Sequence, residues 1–465
     1  MRATRPSRRT AALAAAVGFA LALAGCGSGS GGTGSGAAPG ASALDKASGV
    51  TTVSFWHSMS GKNGEVLSSL VQQFNAKNAG KIEVKPVYQG NYDDTITKFK
   101  AAVQQKQTPT LIQVYDIGTR FMIDSKQTVP VQSFVDKDSY DLTSIEPNIR
   151  NYYSIDNKLY SMPFNSSMPL LYLNADAFRQ AGLDPAKPPR TLAEIADYAK
   201  KLTVKDASGQ TVRYGFGAAI YGWFLEQLIA QSGTEYCNQG NGRQAKATKV
   251  LFDSPQAVAV AQWWAQLVKD GYAVNTGRKT DDAQAAFKSG RVAMHLESTG
   301  VLRSYTDAAK FPVAAAPFPK VAAGDTGGPI IGGASLWIDG PGHSAAEQRA
   351  AWEFVKFLST PAAQAEWHTG TGYFPVNAKA LEEPVDKAWT AKYPQFQTAV
   401  DQLHGTKPSV ASAGCILGVM PQARKASEDG LEKAILGQAP PQQAMTEAAA
   451  SIQPQIDSYN KAVGG

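Results

Sequence analysis

After Thr51 the apolar residues recur in two alternating rhythms, and the switches between them mark out elements. Val53-Ser54-Phe55-Trp56 predicts a strand, and Leu67, Leu70, Val71 and Phe74 then repeat at helical spacing. Ile82, Val84 and Val87 predict the next strand, Ile96, Phe99 and Val103 a second helix, and Leu111-Ile112-Gln113-Val114-Tyr115 a buried third strand. Strand, helix, strand, helix, strand in so short a run argues an open, mostly parallel α/β sheet. Ligands of such sheets sit beyond the carboxyl ends of the strands. A second lobe begins near Pro163, with Leu170-Leu171-Tyr172-Leu173 as a strand. Thr191-Leu192-Ala193-Glu194 reads as a capping box, and Ser254-Pro255 opens a helix with apolar face Val258, Trp263, Leu267 and Val268. Ala346 to Leu358 predicts a further helix, with Trp352, Val355 and Leu358 inward. No internal repeat is visible, and Ala322 to Gly328 is a Gly-rich loop.

The first 45 residues follow neither rhythm. Arg2, Arg5, Arg8 and Arg9 precede a small, apolar run from Ala11 to Ala24, too short for a membrane span but right for a signal-peptide core. The run ends Leu23-Ala24-Gly25-Cys26, which resembles a lipobox, so residues 1–25 are expected to be removed and Cys26 lipidated. Residues 26–45 are expected to form a flexible tether, since Gly27 to Ser42 is mostly Gly, Ser, Ala and Thr. Its random-coil span is on the order of 20 Å. This places the protein outside the cytoplasm, held to a membrane by its lipid alone.

Loss of residues 1–25 removes four arginines and no acid, taking the net charge from +6 to +2. No basic arm or stripe remains, which excludes a nucleic-acid partner. The 43% hydrophobic content allows a large core, and the length suggests more than one domain. Two further cysteines, Cys237 and Cys415, are left in an oxidising compartment, either as one disulfide or as two separately buried thiols.

Enzyme signatures are absent: there is no HExxH, GxSxG, GxxxxGK[ST] or dinucleotide-type GxGxxG. The five histidines, His57, His295, His343, His368 and His404, are scattered without metal spacing and read as surface or packing residues. No cofactor and no metal is expected. Short polar-aromatic clusters stand out instead. They include Phe55-Trp56-His57-Ser58-Met59, Gln89-Gly90-Asn91-Tyr92, Gln113-Val114-Tyr115-Asp116 and Phe164-Asn165-Ser166-Ser167-Met168-Pro169. Further on come Ile330-Ile331-Gly332-Gly333-Ala334-Ser335-Leu336-Trp337, Thr371-Gly372-Tyr373-Phe374-Pro375 and Met420-Pro421-Gln422-Ala423-Arg424.

On these clusters, from about Val53 to Ala448, the chain resembles the extracellular solute-binding proteins of the maltose-binding type. It is most similar to the branch that serves glycerol-phosphate importers. The resemblance implies a non-enzymatic, monomeric binding protein that delivers a small phosphorylated polyol to the permease subunits of an ABC importer. It also implies two α/β lobes that close about a hinge, drawn together by the ligand's higher affinity for the closed state. The lobes are placed at residues 46–163 with 316–360, and 164–315 with 361–465.

The same resemblance assigns a site. Arg424 matches the phosphate-contacting arginine; a guanidinium fork suits phosphate oxygens, and a helix N-terminus beside Pro421 would add N–H donors. Gly333 matches a position where backbone approaches ligand. Asp116, after a buried strand, would accept from two hydroxyls of a glycerol unit and repel phosphate, so polyol is expected at Asp116 and phosphate at Arg424. Tyr92, Ser167, Ser298 and Tyr373 match neutral ligand-contacting positions. Trp223 keeps one of two indoles that the family places beside the ligand, while the other position is Ile220. The missing indole implies a roomier pocket, and Trp223 could hold a quaternary ammonium by cation–π attraction. Glycerophosphodiesters such as glycerophosphocholine are therefore expected, with glycerol 3-phosphate close behind. An oligosaccharide ligand on the same fold and a secreted diester hydrolase are the competing readings.

Overall fold

The computed structural model describes residues 37–464; the leader, Cys26 and most of the expected tether lie outside them. Fourteen strands are present among the described residues. The first seven are β1 (Thr51–His57), β2 (Ile82–Tyr88), β3 (Leu111–Tyr115), β4 (Thr128–Val129), β5 (Ser154–Ile155), β6 (Lys158–Leu159) and β7 (Met162–Ser167). The rest are β8 (Pro169–Asn174), β9 (Val204–Lys205), β10 (Thr211–Ala218), β11 (Ala273–Asn275), β12 (Val292–Ser298), β13 (Val313–Pro317) and β14 (Gly332–Asp339).

They form two six-stranded sheets and one small hairpin of β5 with β6. The first sheet runs β2-β1-β3-β14-β4, with β7 also on β14. Its β1 is parallel to β2 and β3, with Val53 opposite Val84 and Phe55 opposite Leu111, and β14 runs antiparallel to its neighbours. The second sheet runs β11-β10-β12-β8-β13, with β9 on β10. Again the centre is parallel, β10 with β11 and β12, and β8 is antiparallel to β12 and β13. This is a two-lobed α/β fold.

The apolar rhythms explain the layers. Along β1 buried and half-buried residues alternate, while β3, flanked on both sides, is buried throughout. The helix Gly61–Lys77 buries Leu67, Leu70, Val71 and Phe74, and Ala345–Leu358 buries Trp352, Val355 and Leu358. Thr191 caps its helix by accepting from the Glu194 N–H at 3.2 Å, but Glu194 reaches past it to the Arg190 N–H at 2.6 Å, so the box is not reciprocal. In Pro255–Lys269 it is Trp264 that is fully buried; Trp263 stays half-buried and donates to the Leu192 carbonyl at 2.8 Å.

The chain changes sheet later than the expected boundaries. β7 stays paired to β14 through Ser167, so the first change falls at Met168 rather than at 163/164. The second lies between Pro317 and Gly332, so residues 318–331 form a connection rather than part of the first lobe. The helix Pro361–Thr371, expected in the second lobe, packs against Gly61–Lys77 of the first. Trp367 draws it there: its ring stacks on Phe164 with centroids 4.7 Å apart, and Ser69 donates to Glu366 at 2.8 Å. Met420–Ile435 then packs on Gly222–Gln231 and Pro255–Lys269 of the second lobe. The last expected tether residues are already built in, because Ser42–Asp45 is a helical turn against Ala345–Leu358 and Ala38 is buried. Cys237 and Cys415 are disulfide-bonded, with Cα atoms 5.9 Å apart.

Candidate functional site

Between the two sheets lies a cleft of about 670 Å³, bordered by the carboxyl ends of β1, β3 and β12. Tyr92, Asp116, Ser167, Trp223, Ser298, Gly333, Tyr373 and Arg424 all line it. Residues as far apart in sequence as 92 and 424 reach one space because strands of both sheets end there and the helix Met420–Ile435 sends Arg424 into it.

A buried relay fixes the first-lobe wall. Gln113 accepts from the Ser58 N–H at 2.8 Å and donates to Asn165 at 2.7 Å, and Asn165 donates to the Tyr92 hydroxyl at 2.7 Å. Burial and the neighbouring Tyr373 push the Tyr92 hydroxyl well above its usual range, so it stays protonated and able to donate. Tyr115 stacks on Tyr92 at 5.3 Å and donates to Asp93 at 2.6 Å. Tyr373 stacks on Trp367 at 5.7 Å. Ser298 accepts from the Gly300 N–H at 3.1 Å, which leaves its proton to offer. Gly333 has φ +90°, and a Cβ there would sit 1.9 Å from the Asn165 carbonyl, so its freedom is demanded by β7 whatever occupies the cleft.

The centre of the cleft is a buried ion cluster. Arg424 donates to Glu226 through Nε at 3.1 Å and Nη2 at 2.7 Å, and through Nη2 to Asp116 at 3.0 Å. All three side chains are at most 5% exposed. Burial pushes both carboxyls up from their ordinary range, and the Arg424 charge only partly offsets it. The guanidinium loses hydration to burial, yet the two carboxylates hold its proton well above the usual range. Asp116 and Arg424, expected at opposite ends of a ligand, are paired directly here, because the long Arg424 side chain reaches across to the end of β3. The first turn of Met420–Ile435 does not reach the cleft: Met420 and Ala423 are buried in the core and only Arg424 lines the space.

The family description "Bacterial extracellular solute-binding protein" fits residues 69–398. The chain is 36% identical over 419 residues to the sn-glycerol-3-phosphate-binding periplasmic protein UgpB of Escherichia coli K12, covering 88% of this chain and 94% of that one. It belongs to the bacterial extracellular solute-binding proteins. As a member of that family it is a transport-binding protein and not an enzyme. Among solved structures it resembles UgpB from Mycobacterium tuberculosis in complex with glycerophosphocholine, with TM-score 0.75, 23% identity, and 88% and 99% of the two chains covered. It also resembles the cyclic alpha-maltosyl-1,6-maltose binding protein from Arthrobacter globiformis, with TM-score 0.69, 20% identity, and 88% and 99% covered. Both likenesses concern the fold.

One expected pocket residue is elsewhere in this solute-binding protein. Ile220 is 1% exposed within the hydrophobic core and does not line the cleft, whereas the next residue, Tyr221, does. Backbone at Tyr221 is extended just before the helix Gly222–Gln231, so successive side chains point to opposite sides. An aromatic ring thus stands beside Trp223, with centroids 6.4 Å apart, and the roomier pocket inferred from Ile220 loses its basis. Trp223 packs against Gly332, where a Cβ would fall 2.6 Å from the ring, and its Nε1 has no partner among the described residues.

Sequence reading missed Tyr221, Glu226 and Glu297. Glu226 had a signal: it is an acid in Gly222–Gln231, a helix buried on all sides. Glu297, 4% exposed at the end of β12, accepts from the Ser298 N–H at 2.7 Å, and burial pushes its carboxyl up to about 7. Arg278 also lines the cleft but is already paired to Asp429 and Glu432 at 2.7 and 2.5 Å. Among the described residues no helix is long and apolar enough to cross a membrane, and no group of side chains could hold a metal.

Proposed function

We propose that this protein captures a glycerophosphodiester, glycerophosphocholine foremost, outside the cytoplasm and hands it to an ABC importer. The observation that carries the reading is the make-up of the cleft. Aromatic rings of Trp223, Tyr221, Tyr92, Tyr115 and Tyr88 share it with Asp93, Asp281 and Glu297, while Arg424 and Arg278 are already matched by acids and Lys279 is exposed. Such a space suits a ligand that combines hydroxyls, a single phosphate charge and a quaternary ammonium. The 36% identity to a glycerol-3-phosphate-binding protein supports the glycerol phosphate core. Asp116, Tyr92, Ser167, Ser298, Gly333, Tyr373, Trp223 and Arg424 are the proposed contacts. Lipidation at Cys26 would hold the monomer to the membrane beside its permease, and a Cys26→Ala variant released from the membrane fraction is the expected sign.

Titration calorimetry on the purified protein tests the ligand. Heat is expected with glycerophosphocholine and weaker heat with glycerol 3-phosphate. Heat with maltose or a longer maltodextrin and none with either glycerol compound would overturn the proposal in favour of an oligosaccharide.

A further inference from the structure

Glu226 has no place among the proposed contacts, yet it is the side chain most committed to Arg424. Two of the three hydrogen bonds that Arg424 makes to carboxylates end on Glu226 Oε2. Both residues belong to the second lobe, so this pairing does not depend on the first lobe, whereas Asp116 comes from the end of β3. Glu226 is itself held. It sits on the helix that carries Trp223 three residues earlier, and the Cys415 backbone, next to the disulfide to Cys237, lowers its carboxyl against the effect of burial. The helix start is fixed as well, because the Gly222 N–H donates to Glu428 at 2.8 Å. Arg424 Nη1 has no partner among the described residues, which leaves two N–H donors for a ligand oxygen.

Two carboxylates against one guanidinium leave the cluster without surplus positive charge. A ligand oxygen at this cluster therefore meets directed donors rather than an unmatched cation, and the cleft's one cation without an acid partner among the described residues is the exposed Lys279. We infer that Glu226 is a specificity-determining positioning residue. It orients Arg424 and, with Asp116, outweighs its charge, so that the cleft admits a singly charged phosphodiester and disfavours a doubly charged phosphate monoester. The inference rests on the glycerol-phosphate reading above and adds the rule by which that site sorts its ligands.

The test compares glycerol 3-phosphate with its methyl diester, which keeps the glycerol and removes one charge without adding choline. Near about pH 7.5 the monoester is mostly doubly charged. The wild-type protein is expected to bind the methyl diester at least about tenfold more tightly. Equal binding, or preference for the monoester, overturns the inference without any variant. Glu226→Gln keeps an acceptor for Arg424 and removes the charge. It is expected to lower the preference at least about tenfold by tightening the monoester, with the diester nearly unchanged. If both affinities fall together, or the ratio stays, Glu226 is only structural. Should the wild type bind neither compound while binding a maltodextrin, the glycerol-phosphate reading fails first and takes this rule with it.

Discussion

Two buried arginines in this protein are each set between two carboxylates, and the two clusters behave in opposite ways. Arg349, on the helix Ala345–Leu358 away from the cleft, donates to both oxygens of Asp138 at 2.6 and 2.8 Å and to Glu353 at 2.8 Å. Arg424 in the cleft binds Asp116 and Glu226. The arginines are 4% and 5% exposed, so their own burial does not separate them. Their acids do. Asp138 is 16% exposed, against 5% and 1% for Asp116 and Glu226. It also receives the Trp352 indole N–H at 2.9 Å and Lys356 at 3.2 Å. Burial would raise its carboxyl, but bonds from Arg349, Trp352 and Lys356 hold it down at about 2. In the cleft burial wins, and both carboxyls rise. One arginine with two acids stabilises charge where donors are plentiful and water is near. In the cleft cluster, where the acids are buried and Arg424 is their one donor side chain, burial outweighs the pairing.

The largest break in this comparison is Arg424→Met, which strands two buried acids. Unfolding free energy by urea titration is expected to fall by about 3–5 kcal/mol, along with ligand affinity. Asp138→Asn comes next. Its folded value of about 2 lies below an unfolded value near ~3.9, so its contribution is present above about pH 4 and lost as pH falls through about 2. The variant is expected to lose about 2 kcal/mol at neutral pH and to lose the acid-side slope of stability, with ligand affinity unchanged. The cleft acids act with the opposite sign: their raised values weaken the fold as pH rises above about 4. An Asp138→Asn protein that kept the full acid-side slope would end the contrast. Glu353→Gln is the smallest change. Glu353 is 28% exposed and one helical turn from Arg349, so a loss of at most about 0.5 kcal/mol is expected in the same urea assay.

Much of the fold was legible because local pattern carries it. The alternation of Val53 and Phe55, the helical spacing of Leu67 to Phe74 and the unbroken Leu111–Tyr115 run all became the elements they suggested. Boundaries were less legible. Pro361–Thr371 joins the first lobe through Trp367 stacking on Phe164, a partner some two hundred residues earlier that no local rhythm reveals. Eight matched site residues do border one cleft, drawn from strand ends, loops and two helices of both lobes. Ile220 failed for a local reason, a one-residue alternation in extended backbone that turned Tyr221 to the cleft in its place.

The sequence by itself determined most of the secondary structure, because period and caps are properties of neighbouring residues, and its resemblance to a known family supplied the two lobes and eight of the side chains gathered at the cleft. Tertiary structure alone decided which charges meet. Glu226 lies 198 residues from Arg424 and Asp116 lies 308 away, and their values are set by the water that packing removes. No stretch of sequence encodes the burial of those acids, and it is what distinguishes the Arg424 cluster from that of Arg349.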